Sequence, residues 1–212
     1  MIYIVKHKEY GNPVPSGYKE LYVGRLFDGK EENIEHLNPY INEATGMYQI
    51  WKNHKEEIVG LVHYRRFFTE GKKILEFTRA QEILSSYDMI TTPEYTTQGG
   101  VYRHFKAEIT ADDRWAVEKY YRILCDKDSR LANWFENSSF NPRNMFIARK
   151  ELINDYFEWL FPLIIPATEF FAYEDATKVD SKRIMGYLTE RMFGCWIRDK
   201  KVNCFRMEYM DV

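Results

Sequence analysis

Residues 56–68 read EEIVGLVHYRRFF, and the reading of this stretch decides the fold. Ile58 to Val62 form an apolar run, rich in β-branched residues and flanked by charge. Such a run reads as a strand covered on both faces, as in sheets with helices packed against either side. It stops abruptly at His63, Tyr64, Arg65 and Arg66. If the chain stays extended there, His63 and Arg65 share one side and Tyr64 and Arg66 the other. Guanidinium groups at a strand end suit phosphate or carboxylate, because their fork of donors matches two oxygens at once. The alternative is that both arginines pair with acidic residues of neighbouring helices.

Working outward, IYIV (residues 2–5) reads as a buried first strand and KELYVGRLF (19–27) as a second, with a Gly- and Pro-rich loop between them. Asn38 and Pro39 form a helix start, and Ile41, Ala44, Met47, Tyr48 and Trp51 fall on helical spacing. One amphipathic helix is therefore expected over 40–53. TRAQEILSSY (78–87) reads as a short helix, DMITT (88–92) as a strand, and 93–105 as a mobile loop with Gly99 and Gly100 as a hinge. Helical patterns follow at 112–124, after a strand or helix start at Asn144, and over 181–199, before a terminal strand at 203–209. This alternation predicts an α/β fold, a mixed sheet covered by helices in a single domain. Ligands of such sheets bind beyond the carboxyl ends of the strands. Lys6 and His7, then His63 to Arg66, then 93–104 lie there. Together the first two groups make an electropositive site.

The chain has 212 residues, enough for one substantial domain, and a formal net charge of −2 with a pI near 6.2. That balance argues against a nucleic-acid partner. Aromatic residues make up 17%, a surplus that can fill a core, line a sugar site or cover a partner. Cys125, Cys195 and Cys204 show no CxxC spacing and read as reduced, buried thiols of a cytoplasmic protein. The apolar start is too short for a signal peptide or a span. The greasy stretch 155–173 is interrupted by Glu158, Pro162, Pro166 and Glu169, so it reads as a buried helix end, with at most peripheral membrane contact.

Two acidic side chains stand out. Glu43 lies early in its helix, away from the apolar stripe, and a helix amino end beside the crevice would favour an anion. The other reading is a solvated polar face. Glu190 and Arg191 interrupt an apolar helix, where charge survives only when paired or used. The five histidines have no metal-ligand spacing, and there is no DxD triplet, GxGxxG, P-loop or GxSxG. No metal site is expected.

Four segments together carry a family resemblance. They are Asn38, Glu43, Thr45, Tyr48, Trp51, Lys52 and Asn53 in one helix, His63 to Phe68 after the strand, Asn144 to Ile147, and Gly186 to Arg191. In this order they resemble the bacterial domain-of-unknown-function 4422 family, glycosyltransferase-like proteins of capsule, O-antigen and exopolysaccharide synthesis. The stretch 110–135 matches the pattern only loosely. The resemblance implies a GT-A-like, Rossmann-like fold with a nucleotide-sugar half over roughly 1–100 and an acceptor half over roughly 101–212. It implies transfer of a hexose, galactose in pyranose or furanose form, from a UDP-linked donor to a saccharide or lipid-linked saccharide, at the inner face of the membrane. On this reading Arg65, Arg66, His63, Lys6 and His7 hold the donor diphosphate in place of a metal. Manganese is then not required, although a divalent ion is compatible with the family. Glu43, then Glu190 and Asp113, are the candidate catalytic carboxylates. Tyr48, Trp51, Lys52, Tyr64, Asn144 and Arg191 are candidates for the sugar or base. The rival reading is a non-catalytic nucleotide-sugar or glycan-binding module of a polysaccharide assembly complex.

Overall fold

The computed structural model describes residues 1–9, 11, 13–24, 32–171 and 182–211. Residues 25–27 of the expected second strand, 28–31 of the connection after it, and Ser181 lie outside them.

The strands are β1 (Ile2–Lys6), β2 (Tyr18–Tyr22), β3 (Ile58–His63), β4 (Arg66–Glu70), β5 (Lys73–Ile74), β6 (Met89–Thr91), β7 (Tyr95–Thr96), β8 (Ser139–Phe140), β9 (Phe146–Arg149), β10 (Cys204–Arg206) and β11 (Tyr209–Asp211). The helices are α1 (Asn38–Ile41), α2 (Ala44–Asn53), α3 (Phe77–Ile83), α4 (Val101–Glu108), α5 (Arg114–Lys127), α6 (Arg130–Phe135), α7 (Lys150–Phe171) and α8 (Ile184–Asp199). A nine-stranded mixed sheet runs β10-β6-β9-β3-β1-β2, with the β4, β5 and β11 strands attached beside β3. β1 lies parallel to β2 and β3, whereas β9 runs antiparallel to both β3 and β6. The turn that precedes β9 therefore stands at the same end of the sheet as the carboxyl ends of β1 and β3.

Alternation along β1 divides the interior. Tyr3 and Val5 join the larger core beneath α1, α2 and α4 to α8, while Ile2 and Ile4 join a smaller one with β4, Leu75 and α3. β3 is buried along its whole length, as its unbroken hydrophobicity requires. Gly60 and Gly46 are the close approaches. A Cβ on Gly60 would meet Ile147 at 2.9 Å, and one on Gly46 would meet Val5 at 2.7 Å, which seats α2 on β1. The α/β expectation holds.

Several local expectations do not. The helix expected over 40–53 is broken, with Asn42 at φ 51°, ψ −120° between α1 and α2. Asn38 is helical rather than capping. The chain after β3 does not stay extended. Tyr64 and Arg65 form a two-residue turn, so His63 pairs with Arg66 and these two share a side. Residues 93–105 carry β7 and most of α4 rather than a loop. Gly100 precedes α4, and a Cβ there would lie 3.2 Å from the Glu136 carbonyl oxygen. α7 continues through Pro162 and Pro166. Both prolines, with Glu158 one turn earlier, lie on its exposed stripe, so the carbonyls that lose their partners face water. The three cysteines are free thiols, buried at Cys195 and Cys204 and half-buried at Cys125.

Candidate active site

At the carboxyl ends of β1 and β3 the sheet opens into a cavity of about 550 Å³. Its walls come from His7 after β1, the Asn42–Glu43 break, the His63–Arg66 hairpin, Arg143 and Asn144 before β9, and Arg183, Gly186, Tyr187 and Glu190 of the α8 region. Strain concentrates here. Of the four non-glycine residues with positive φ among the described residues, Asn42, Arg143 and Asn144 all line this cavity. Such conformations cost of order 1–3 kcal/mol each and persist where the surroundings hold them for a use.

The packing explains the spacing of the last motif. Gly186 lies against the side-chain amide of Asn42, where a Cβ would collide, so α8 closes onto the helix break. One turn later, Glu190 reaches the Arg143 turn and accepts a short hydrogen bond from the Arg143 backbone N–H. Arg143 in turn ties the site to β3, since its carbonyl oxygen lies 2.6 Å from His63 Nε2. A carbonyl only accepts, so Nε2 carries the proton and Nδ1 of the neutral ring faces Glu43, 3.7 Å from its Oε1. Burial holds His63 below the ordinary histidine range, against the raising effect of Glu43. Burial pushes the Glu190 carboxyl up, despite Arg191 and the Arg143 N–H, and the nearby charge of Glu43 adds to the rise. Glu190 thus holds a proton more readily than an ordinary carboxyl.

Seven cationic or potentially cationic groups line the same cavity: Lys6, His7, His63, Arg65, Arg66, Arg143 and Arg183. Arg65 is exposed and stands 5.0 Å from the Tyr64 ring centre. Arg66 is committed to Asp211 of β11 at 2.9 Å, which joins β4 to β11. Arg143 Nε reaches the Tyr209 hydroxyl at 3.4 Å. His7 packs edge-on to Tyr64, and desolvation followed by Lys8, Arg183 and Arg65 lowers its pKa.

The remaining sequence candidates divide. Asn144 and Tyr64 line the cavity. Lys6 lines it too, with its ammonium committed to Glu20 of β2 at 2.6 Å and lying over the Tyr22 ring at 4.1 Å. Tyr48, Trp51 and Lys52 do not line it. The Tyr48 hydroxyl donates to Glu32, Tyr48 and Trp51 pack on Phe161 of α7, and Lys52 covers Trp51 at 3.6 Å. Helical spacing placed these three on the side that packs against α7. Asp113 and Arg191 belong to a second cavity of about 480 Å³, lined also by Tyr95, His104, Glu108, Thr110 and Phe140. The two cavities share Arg143, Tyr187 and Glu190. Arg191 is buried, pairs with Glu108 at 2.9 Å and lies over the rings of Phe105 and Phe140. The halves 1–100 and 101–212 both contribute to the first cavity.

Sequence reasoning missed Arg143, Arg183 and Asn42. Asn42 and Arg143 adjoin motif residues, and Asn is among the few residues that tolerate positive φ. Arg183 had no signal beyond its place before a helix. No cluster of three or more His, Cys, Asp or Glu among the described residues can hold a metal ion.

The sequence model of the family described as "Domain of unknown function (DUF4422)" matches residues 1–201. The chain belongs to this family. Among solved structures, the fold is similar to "WbbM bifunctional glycosytransferase apo structure", with a TM-score of 0.78 and 23% identity. All of the present chain is covered by that match and 45% of the other, so the chain spans under half of that protein. No curated protein matches the chain. The residues that carry the resemblance fall in three places: Asn38, Glu43, the hairpin, Asn144, Gly186 and Glu190 at the first cavity, Arg191 at the second, and Tyr48 to Asn53 along α2.

Proposed function

We propose that the protein is a glycosyltransferase that binds a nucleotide-diphosphate sugar in the first cavity. The observation that carries this reading is the cation-lined cavity at the strand ends, with Glu43 and Glu190 in its wall. A diphosphate leaving group accumulates negative charge as the bond to the anomeric carbon breaks, and fixed cations around it lower that barrier. Arg65, Arg143 and Arg183 supply this field, with His7 beside them. Arg66, held by Asp211, fixes the hairpin that presents Arg65. In the transfer, an acceptor hydroxyl oxygen bonds to the anomeric carbon and the diphosphate departs with the electron pair of the broken bond. The hydroxyl proton passes to a carboxylate. Glu190, at the junction of the cavities, is placed to take it, and a raised carboxyl pKa suits a proton acceptor. Glu43, across the cavity wall from His63, meets the sugar.

The family resemblance points to a hexose donor, galactose in either ring form and UDP-linked, and to a bacterial surface polysaccharide as the product, made on the cytoplasmic side. No helix among the described residues is long and apolar enough to cross a membrane. The test is a panel of nucleotide sugars assayed for donor hydrolysis and for stabilisation on heating, with and without manganese. Turnover of one donor in the presence of a chelator supports the reading. Nucleotide binding without turnover of any donor would assign a binding module instead, and an absolute need for manganese would remove the cationic cluster from its role.

A further inference from the structure

We infer that the second cavity holds the acceptor, and that this acceptor presents a neutral sugar rather than a charged one. The inference rests on the glycosyltransferase reading and adds the acceptor's chemistry. The cavity is a distinct chamber, yet it meets the first along Arg143, Tyr187 and Glu190. A group seated there reaches the same carboxylate as a donor in the first chamber.

The two chambers differ in charge. The first gathers His7, Arg65, Arg66, Arg143 and Arg183. The second carries Glu108, Asp113 and Glu190, and its buried Arg191 is already neutralised by Glu108. An anion there meets Asp113 and the shared Glu190, a Glu108 already paired with Arg191, and no uncommitted guanidinium other than the shared Arg143. Sugar hydroxyls, in contrast, donate to carboxylates at little cost. The walls complete the fit. The antiparallel β7–β8 pair places Tyr95 and Phe140 side by side at 5.8 Å, and Tyr95 stays half exposed, an amphipathic ring of the kind that covers the apolar face of a pyranose or furanose. His104 lies 5.4 Å from Tyr95, and its buried Nδ1 makes no hydrogen bond among the described residues, although Glu108 is 3.6 Å away.

Ligand-observed NMR with methyl galactosides and methyl glucosides as probes tests this. Free glucuronate and galactose 1-phosphate serve as charged comparisons, and UDP as an independent probe of the first cavity. At least one neutral glycoside is expected to bind, and each charged sugar more weakly. Tyr95→Ala and Asp113→Asn should each weaken the glycoside about three- to tenfold, the range of one lost ring contact or charge-assisted hydrogen bond. UDP binding by both variants verifies that they fold. Charged sugars binding as well as neutral ones, no glycoside binding, or glycoside binding unchanged in both variants would each overturn the inference. Failure of UDP to bind the wild-type protein would instead count against the donor reading, so the two failures are distinguishable.

Discussion

The corner at Asn42–Glu43 and the aromatic seam at Tyr48–Trp51 lie on one short stretch of chain and are held by opposite means. At the corner the helix breaks, the backbone takes a positive φ, and polar side chains face a cavity. Along the seam the helix is regular, Trp51 stacks on Phe161 at 5.4 Å and Tyr48 meets the same ring edge-on at 5.0 Å. One region keeps strained, partly desolvated polar groups in place. The other supplies the packing that keeps them there. On the proposed function, the stretch that carries the resemblance divides into a site segment and a packing segment, and substitutions separate them.

The largest effect belongs to the cavity. Glu190→Gln should lower transfer about 10²- to 10⁴-fold, the usual contribution of a positioned proton acceptor. Folding should survive, since a glutamine oxygen still accepts from the Arg143 N–H. Initial rates with the best donor and acceptor measure this. Wild-type-like turnover would move the proton acceptor to another carboxylate, Glu43 first.

The seam should respond in the reverse way. Trp51→Ala removes the ring stacked on Phe161 and the platform under Lys52, and should destabilise by about 2–4 kcal/mol. Nucleotide binding per folded molecule should stay within a factor of two. Denaturant unfolding and UDP titration on the same sample read both quantities. A large loss of UDP affinity with stability intact would place Trp51 in the site after all.

A finer contrast lies inside the hairpin, between neighbouring arginines. Arg65→Ala should weaken UDP about tenfold, the loss of one charge-assisted contact, with little effect on stability. Arg66→Ala should do the opposite on a smaller scale, costing about 1 kcal/mol through the lost Asp211 pair. The sequence shows two identical side chains here. They differ only because Tyr64 and Arg65 turn the chain back, which puts Arg66 on β4 beside β11.

That turn marks the limit of what was legible. The apolar runs of β1 and β3 and the periodicity of α8 were readable because burial leaves its pattern in the sequence. Strand direction leaves none. Nothing in NPRNMFIAR says that β9 runs antiparallel to β3, and only that direction carries Arg143 and Asn144 to the cleft. The break at Asn42 was hidden in the same way, since the apolar residues on both sides of it keep helical spacing. Tyr48 and Trp51 suit a sugar or base platform and a core alike, because aromatic residues serve both. Only the position of α7 decides between the two.

The smallest predicted effect tests whether the corner's electrostatics are real. Glu190 has its folded pKa raised above its unfolded value by burial. A carboxyl of that kind stabilises the fold fully below its unfolded pKa, where it is neutral in both states, and that stability is lost as pH rises through the folded value. Glutamine does not titrate. The melting temperature of Glu190→Gln relative to wild type should therefore climb as pH rises from about 4, the unfolded carboxylate range, and level off once Glu190 is ionised in the folded protein. The plateau's onset reads the folded pKa directly. His63 acts with the opposite sign. Its lowered pKa takes stability away as pH falls below about 6.5, the unfolded histidine value. That contribution is common to both proteins and cancels in the difference. A flat difference between the two melting curves would mean that Glu190 is ionised at no cost to the fold. The carboxylate at the junction of the two cavities would then be an ordinary surface charge, and the strained corner around it would need another purpose.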